Sequence, residues 1–133
     1  MRRQKSLKEE RIEEEINMGT IVPGDATNFP KTGDSVLVHY IGYLEDGTMF
    51  DNSYNRQRPL CFVVGKGQVI QGWDDIITKM SRGQKARFVF PPKLAYGDRG
   101  YPPVIPPMAT LTFEIELVSF SSQSTREMLQ RDV

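Results

Sequence analysis

Apolar and polar residues alternate through most of this chain, and one stretch breaks the rhythm. The cleanest alternation lies near the C-terminal end, where Leu111, Phe113, Ile115 and Leu117 interleave with Thr110, Thr112, Glu114 and Glu116. Successive side chains of a strand point to opposite faces, so this pattern predicts a strand with one buried and one wet face, as in an antiparallel sheet. Residues 35–41 repeat it, with Val36, Val38 and Tyr40 on one face and Leu37, His39 and Ile41 on the other. Four more β-rich runs are expected at residues 20–22, 48–50, 60–64 and 84–90. In two of them the apolar face is plain: Leu60, Phe62 and Val64, then Ala86, Phe88 and Phe90. Residues 71–80 depart from the alternation. Trp73, Ile76, Ile77 and Met80 recur at helical spacing and form a one-sided stripe, which predicts a helix.

Turn residues divide these runs. Pro23-Gly24-Asp25 ends the first, and Glu45-Asp46-Gly47 is a hairpin signal. Gly65-Lys66-Gly67 breaks the fourth, Ser81-Arg82-Gly83 stops the helix, and Pro91-Pro92 prevents a central strand from continuing. Residues 51–59 read as a polar loop. Residues 96–110 read as a long irregular segment stiffened by Pro102, Pro103, Pro106 and Pro107. Structureless segments of that length are uncommon in compact domains and are usually functional or disordered. Tyr101, Val104 and Ile105 read as exposed apolar residues on it, which fits a lip over a cleft. The elements together predict an α+β domain, a mostly antiparallel sheet packed on one short helix.

Composition narrows the function. The chain has 133 residues, which favours one domain and suffices for a core without disulfide staples. Lysine plus arginine number 17 and aspartate plus glutamate number 17, so no basic surplus points to nucleic acid or an anionic membrane. No apolar run approaches the roughly 18 residues of a membrane span, and no secretory h-region is expected at the N-terminus. With Cys61 the sole cysteine, a reducing compartment is expected. The sole histidine and cysteine argue against a structural zinc site. Residues 1–18 are charged and expected to be a partly helical or disordered extension, with a targeting arm through Arg2, Arg3 and Lys5 as the weaker alternative. The domain is expected at 19–120, followed by a polar tail at 121–133 that adds at most a short helix.

Little of the usual catalytic chemistry is present. Neither a P-loop nor a GxSxG motif occurs. His39 lies mid-strand and reads as structural; Cys61 is opposite in parity to Leu60 and Phe62 and reads as a bystander. What remains is an aromatic set: Tyr40, Phe50, Phe62, Trp73, Tyr96 and Phe113. Pattern alone reads these as ordinary core.

Their sequence context is more specific. The motifs Val38-His39-Tyr40, Glu45-Asp46-Gly47, Phe50-Asp51, Gly65-Lys66, Val69-Ile70-Gln71-Gly72-Trp73, Ala95-Tyr96-Gly97, Ile105-Pro106-Pro107 and Ala109-Thr110-Leu111 follow one another in a distinctive order. In that order and spacing the chain resembles the FKBP family, macrolide-binding immunophilins with peptidyl-prolyl cis/trans isomerase activity, over residues 19–120. The resemblance implies a twisted antiparallel β-sheet wrapped around one short α-helix. It implies a pocket lined by Tyr40, Phe50, Asp51, Phe62, Val69, Ile70, Trp73, Tyr96, Ile105 and Phe113, with Trp73 as its floor. The Ile70 N–H and the Tyr96 hydroxyl would bind ligand carbonyls. Asp51 would sit beside Tyr40 and near Arg56, while Tyr101 and Val104 would contact ligand from the lip. Catalysis would fall to Tyr40, Phe50, Asp51, Trp73, Tyr96 and Phe113, with no metal and no cofactor.

The partners so implied are proline-containing polypeptides and the macrolides rapamycin and tacrolimus, with calcineurin or a TOR kinase joining in the drug-bound form. A monomer is expected in the cytoplasm with nuclear access, assisting protein folding. Some positions depart from the family's usual residues: Leu60 in place of phenylalanine, Tyr101 and Met108 in place of histidine, Val104 in place of isoleucine, and Pro103 as a second proline beside Pro102. A binding module without turnover and a scaffold working through its termini are the rival readings.

Overall fold

The computed structural model describes residues 19–122. Along the chain come β1 (Gly19–Val22), β2 (Ser35–Tyr43), β3 (Met49–Asn52), β4 (Leu60–Val63), α1 (Gln71–Ile77), β5 (Lys85–Phe90), a 3-10 turn (Pro92–Leu94) and β6 (Leu111–Ser121). Every strand pair is antiparallel, in the order β1-β5-β6-β2-β3, and β4 also pairs with β2. The alternation read from β2 and β6 is the alternation of burial. Val36, Val38 and Tyr40 face inward, as do Leu111, Phe113, Ile115 and Leu117. The inner face packs against the Trp73, Ile76 and Ile77 side of α1 and closes around Phe88, Phe90 and Met80. Burying each such side chain contributes about 1.5–3 kcal/mol. Among the described residues no helix is long and apolar enough to cross a membrane.

The strand β2 organises the sheet. One edge pairs along its whole length with β6. The other edge is shared: β4 covers Ser35 to Val38 and β3 covers Ile41 to Tyr43. The hairpin expected at Glu45-Asp46-Gly47 joins β2 to β3. Gly47 has φ +88°, a conformation glycine adopts without a Cβ penalty, and its N–H donates to the Leu44 carbonyl at 3.0 Å.

Several features differ from the sequence reading. The helix ends at Ile77 rather than at residue 80, because Lys79 and Met80 bond three residues back, to Ile76 and Ile77, and tighten the last turn. Met80 is still fully buried, so the apolar stripe was right and its last member lies just beyond the helix. The last strand runs on past residue 117 to Ser121. A register shift opposite Leu37/Val38 keeps it paired with β2 where the alternation fails. Asp51 and Asn52 belong to β3 rather than to a loop, and Ser53 is fully buried. Ile105, read as exposed, is 3% exposed: Tyr101 and Ile105 exchange backbone hydrogen bonds of 2.8 and 2.9 Å, and the small closed turn directs Ile105 inward. The readings made for residues 1–18 and 123–133 lie outside the described residues.

Candidate functional site

Where α1 meets the inner face of the sheet, a cavity of about 220 Å³ opens between Tyr40, Phe50, Asp51, Leu60, Gln68, Val69, Ile70, Trp73, Tyr96 and Phe113. Its floor is Trp73, 5% exposed at the first turn of α1. Tyr40 meets the indole edge-on, with ring centroids 4.8 Å apart at 75°. Phe113 does the same at 5.2 Å and 84°, and Phe50 stands edge-on to Phe113 at 5.6 Å. Edge-to-face packing at these separations is the favoured arrangement of aromatic quadrupoles, so the rings hold one another in place. Two outer-face concavities of about 500 Å³ are larger. Their walls carry several charges each, Glu45, Arg87 and Glu114 in one and Lys31, Asp34 and Arg82 in the other. An apolar cavity with a few converging polar groups is the better ligand site.

Asp51 supplies the one charge on the cavity wall. The Tyr40 hydroxyl donates to Asp51 Oδ2 at 2.5 Å and accepts from Arg56 Nη2 at 3.0 Å. Arg56 Nη1 also donates to Asp51 Oδ1, and the Asn52 N–H reaches the same oxygen at 2.9 Å. Burial raises the Asp51 pKa, but the hydrogen bonds from Tyr40 and Arg56 and the guanidinium charge outweigh it, so the carboxyl is held below its usual range. For Tyr40 the balance runs the other way: burial, then the hydrogen bond to Asp51, push the phenol up and keep it a neutral donor. A carboxylate beside an apolar cavity is tolerable because three donors surround it.

Among the described residues, three other polar groups at the cavity have no hydrogen-bond partner. Trp73 Nε1 is buried without a hydrogen bond, an arrangement that costs about 1–3 kcal/mol. The Ile70 N–H and the Tyr96 hydroxyl donate to no group among the described residues. Burial, followed by the neighbouring Tyr101 and Asp51, raises the Tyr96 pKa, so its hydroxyl stays protonated. The loop carrying Ile70 is tied down from both sides. Asp74 accepts from the Gly65 and Gly67 N–H groups at 2.9 and 3.2 Å, and Gln68 Oε1 accepts from the Val63 N–H at 2.9 Å.

The structure brings Tyr40, Phe50, Asp51, Val69, Ile70, Trp73, Tyr96 and Phe113 to the cavity wall, all of them named from sequence. Arg56 stands outside it and bonds to Asp51 and Tyr40, its guanidinium 5.7 Å from the Tyr40 ring centroid. Phe62 is not on the wall: it lies against Trp73, centroids 6.0 Å apart, and supports the floor from behind. Nor is Ile105, which the 101–105 turn buries. Tyr101 and Val104 are 62% and 46% exposed, and Tyr101 leans on Tyr96 at 5.5 Å. The wall also includes Leu60, noted from sequence only as a departure, and Gln68, which sequence reasoning missed. Gln68 carries no pattern signal in the sequence; its bond to the Val63 N–H ties it beside the cavity. His39 and Cys61 lie off the site, His39 stacked on Tyr54 and Cys61 exposed with a free thiol.

Comparison with known proteins identifies relatives over most of the chain. Residues 26–118 match the family described as FKBP-type peptidyl-prolyl cis-trans isomerase. The chain is 52% identical over 103 residues to peptidyl-prolyl cis-trans isomerase Fkbp12 of Drosophila melanogaster, covering 77% of this chain and 95% of that protein. It is 50% identical over 106 residues to FK506-binding protein 1 of Rhizopus delemar, covering 80% and 98%. Among solved structures it is similar to AtFKBP13, with a TM-score of 0.73 and 39% identity over 78% of this chain and 91% of that one.

Proposed function

Because this chain belongs to the FKBP-type peptidyl-prolyl cis-trans isomerase family, we propose that the aromatic cavity over Trp73 is where it isomerises Xaa-Pro bonds. We propose further that rapamycin- and tacrolimus-type macrolides bind in the same cavity. The observation that carries both is an apolar, edge-to-face ring cage with two unpartnered donors, the Ile70 N–H and the Tyr96 hydroxyl, on its wall.

Rotation about a prolyl amide faces a barrier of about 18–20 kcal/mol, because resonance must be broken. The twisted amide has lost that resonance, so its carbonyl is less polar than the planar one. A dry aromatic cage therefore favours the twisted form over the ground state. Shielding one amide from water contributes about 1–3 kcal/mol, while a millionfold acceleration needs about 8 kcal/mol. Desolvation is too small alone. The remainder falls to geometry: the proline ring held against Trp73 between Tyr40 and Phe113, and its carbonyls fixed by Ile70 and Tyr96. Asp51 faces the same space as a charge pinned by Tyr40 and Arg56, and it holds the Tyr40 ring in its place on the wall.

The substrates on this reading are proline-containing polypeptides, and the role is assistance to folding or conformational regulation in the cytoplasm, with nuclear access. The protein acts as a monomer, without nucleic acid or a membrane. The macrolide-bound form presents a composite surface to calcineurin or a TOR kinase. Residues 19–120 carry the activity, and 1–18 and 121–133 are extensions. The test is a prolyl-peptide isomerisation assay with and without rapamycin, followed in parallel by the fluorescence of the sole tryptophan, Trp73. Inhibition with a saturable spectral change is expected. Catalysis unaffected by saturating macrolide, with no change in Trp73 emission, would overturn the shared-cavity reading.

A further inference from the structure

The shared edge of β2 leaves a gap. β4 pairs no further along than Val38 and β3 begins at Ile41, so on that edge His39 and Tyr40 have no strand partner. Ser53 fills the gap. It is fully buried, and each of its polar atoms is used. Its N–H donates to the Tyr40 carbonyl at 2.9 Å, and its Oγ accepts the Tyr40 N–H at 2.7 Å. Its own carbonyl accepts the Arg58 N–H at 3.2 Å, closing the loop from which Arg56 reaches Asp51. On the outer side Oγ lies 2.8 Å from His39 Nδ1. The loop is pinned there a second time: Tyr54 stacks on His39 at 4.4 Å and 14°, and its hydroxyl donates to Glu116 Oε1 at 2.5 Å.

We infer that Ser53 is a positioning residue for the reaction, the point at which both side-chain donors to Asp51, the Tyr40 hydroxyl and the Arg56 guanidinium, are set by one buried side chain. The inference rests on the assignment of the aromatic cavity as the isomerase site. Strand pairing holds Tyr40 from the β6 side alone, opposite Ile115, and leaves its other edge to be fixed by Ser53. One hydroxyl holding its N–H, one N–H holding its carbonyl, and a closed loop behind Arg56 fix it together. Ser53 touches no cavity volume itself and so acts only through these groups.

The test uses the full chain carrying Ser53→Ala or Ser53→Cys, the second keeping the buried volume while weakening the hydrogen bonds. Each variant is assayed for kcat and KM while fully folded. The Asp51 carboxyl is titrated by carbon-detected NMR, a readout that a merely structural role leaves in place. The expected result is a fall in kcat of about tenfold in Ser53→Ala, the equivalent of one well-made hydrogen bond, a smaller change in KM, and an Asp51 titration that moves up toward the usual carboxylate range. Ser53→Cys is expected to lie between Ser53→Ala and the natural chain, and it decides the matter if Ser53→Ala does not fold. A folded variant that is less stable yet keeps kcat and the Asp51 titration would overturn the inference. Asp51→Ala run beside them separates the two levels: if it is fully active, the cavity assignment itself falls, and the role of Ser53 with it.

Discussion

Gly42 tests the packing of the site from the strand behind it, because a side chain there presses on two wall rings without replacing either. It lies in β2 beneath Phe50 and Phe113. A Cβ built there falls 2.5 Å from Phe50 Cζ, 2.9 Å from Phe50 Cε1 and 2.9 Å from Phe113 Cε1. Carbon atoms sit comfortably at about 3.5–4.0 Å, so Gly42→Ala drives Phe50 back by about 1 Å and Phe113 by somewhat less. Phe113 is 4% exposed and backed by Trp73, Phe90 and Tyr40, so it has little room. Phe50 is half-buried on the cavity side and moves into the site. Overpacking of this kind costs about 1–3 kcal/mol, partly offset by about 0.4–1 kcal/mol from stiffening the unfolded chain. The net is a destabilisation of about 1–2 kcal/mol, or a fall in Tm of roughly 5–15 °C for a domain of this size. A displacement near 1 Å at a reacting centre can cost about a hundredfold, so prolyl isomerisation is expected to fall about 10- to 100-fold at a temperature where the variant is fully folded. Thermal melting and a coupled peptide assay check both numbers. A Gly42→Ala protein that melts and turns over like the natural chain would refute the claim that these rings are packed against the strand with no slack.

Trp73→Ala removes the floor and leaves a cavity under Tyr40 and Phe113. It is expected to cost about 3–5 kcal/mol and most of the activity, checked by urea unfolding and peptide turnover; a folded variant with full activity would remove Trp73 from the mechanism. Against the effect of burial, the bonds from Tyr40 and Arg56 hold the Asp51 carboxyl below its usual range, so its contribution to stability is fully present above the unfolded value of about 3.9 and is lost as pH falls through the depressed folded value. Urea midpoints measured from pH 7 down to pH 2 should therefore fall more steeply for the natural chain than for Asp51→Ala; parallel curves would contradict the pinned carboxylate. Asp74→Ala frees the Gly65 and Gly67 N–H groups and loosens the loop that presents Ile70, so KM for a prolyl peptide should rise more than kcat falls.

The strands β2 and β6 were legible because half-burial imposes a strict period of two, and α1 because four apolar residues fit one helical face. What the pattern could not supply was the end of an element where tertiary pairing overrides it. The alternation of β6 fails at Val118, yet pairing with β2 continues to Ser121 through a register shift. Polar composition misled at Asp51 to Ser53, where each side chain is half-buried or buried because it bonds to β2 or beside it. Ser53 left no trace in sequence: a serine in a polar stretch looks solvated until the gap in the ladder that it fills is known. The aromatic wall was legible only through the ordered resemblance, since Phe62 and Phe113 have the same strand periodicity but one backs the floor while the other forms the wall.

The pairing of β2 with β6 reaches across most of the domain, from Ser35 to Ser121. Until β6 exists, β2 and β5 each lack the neighbour that lies between them in the sheet, and the inner face has no lid of Leu111, Ile115 and Leu117. During synthesis this makes the domain an all-at-the-end folder. A ribosome that has delivered everything through Pro107 still holds an open sheet with exposed Val36, Val38, Phe88 and Phe90, and contacts between such distant residues form slowly. This isomerase must itself wait, uncommitted, for strand β6 to clear the exit tunnel.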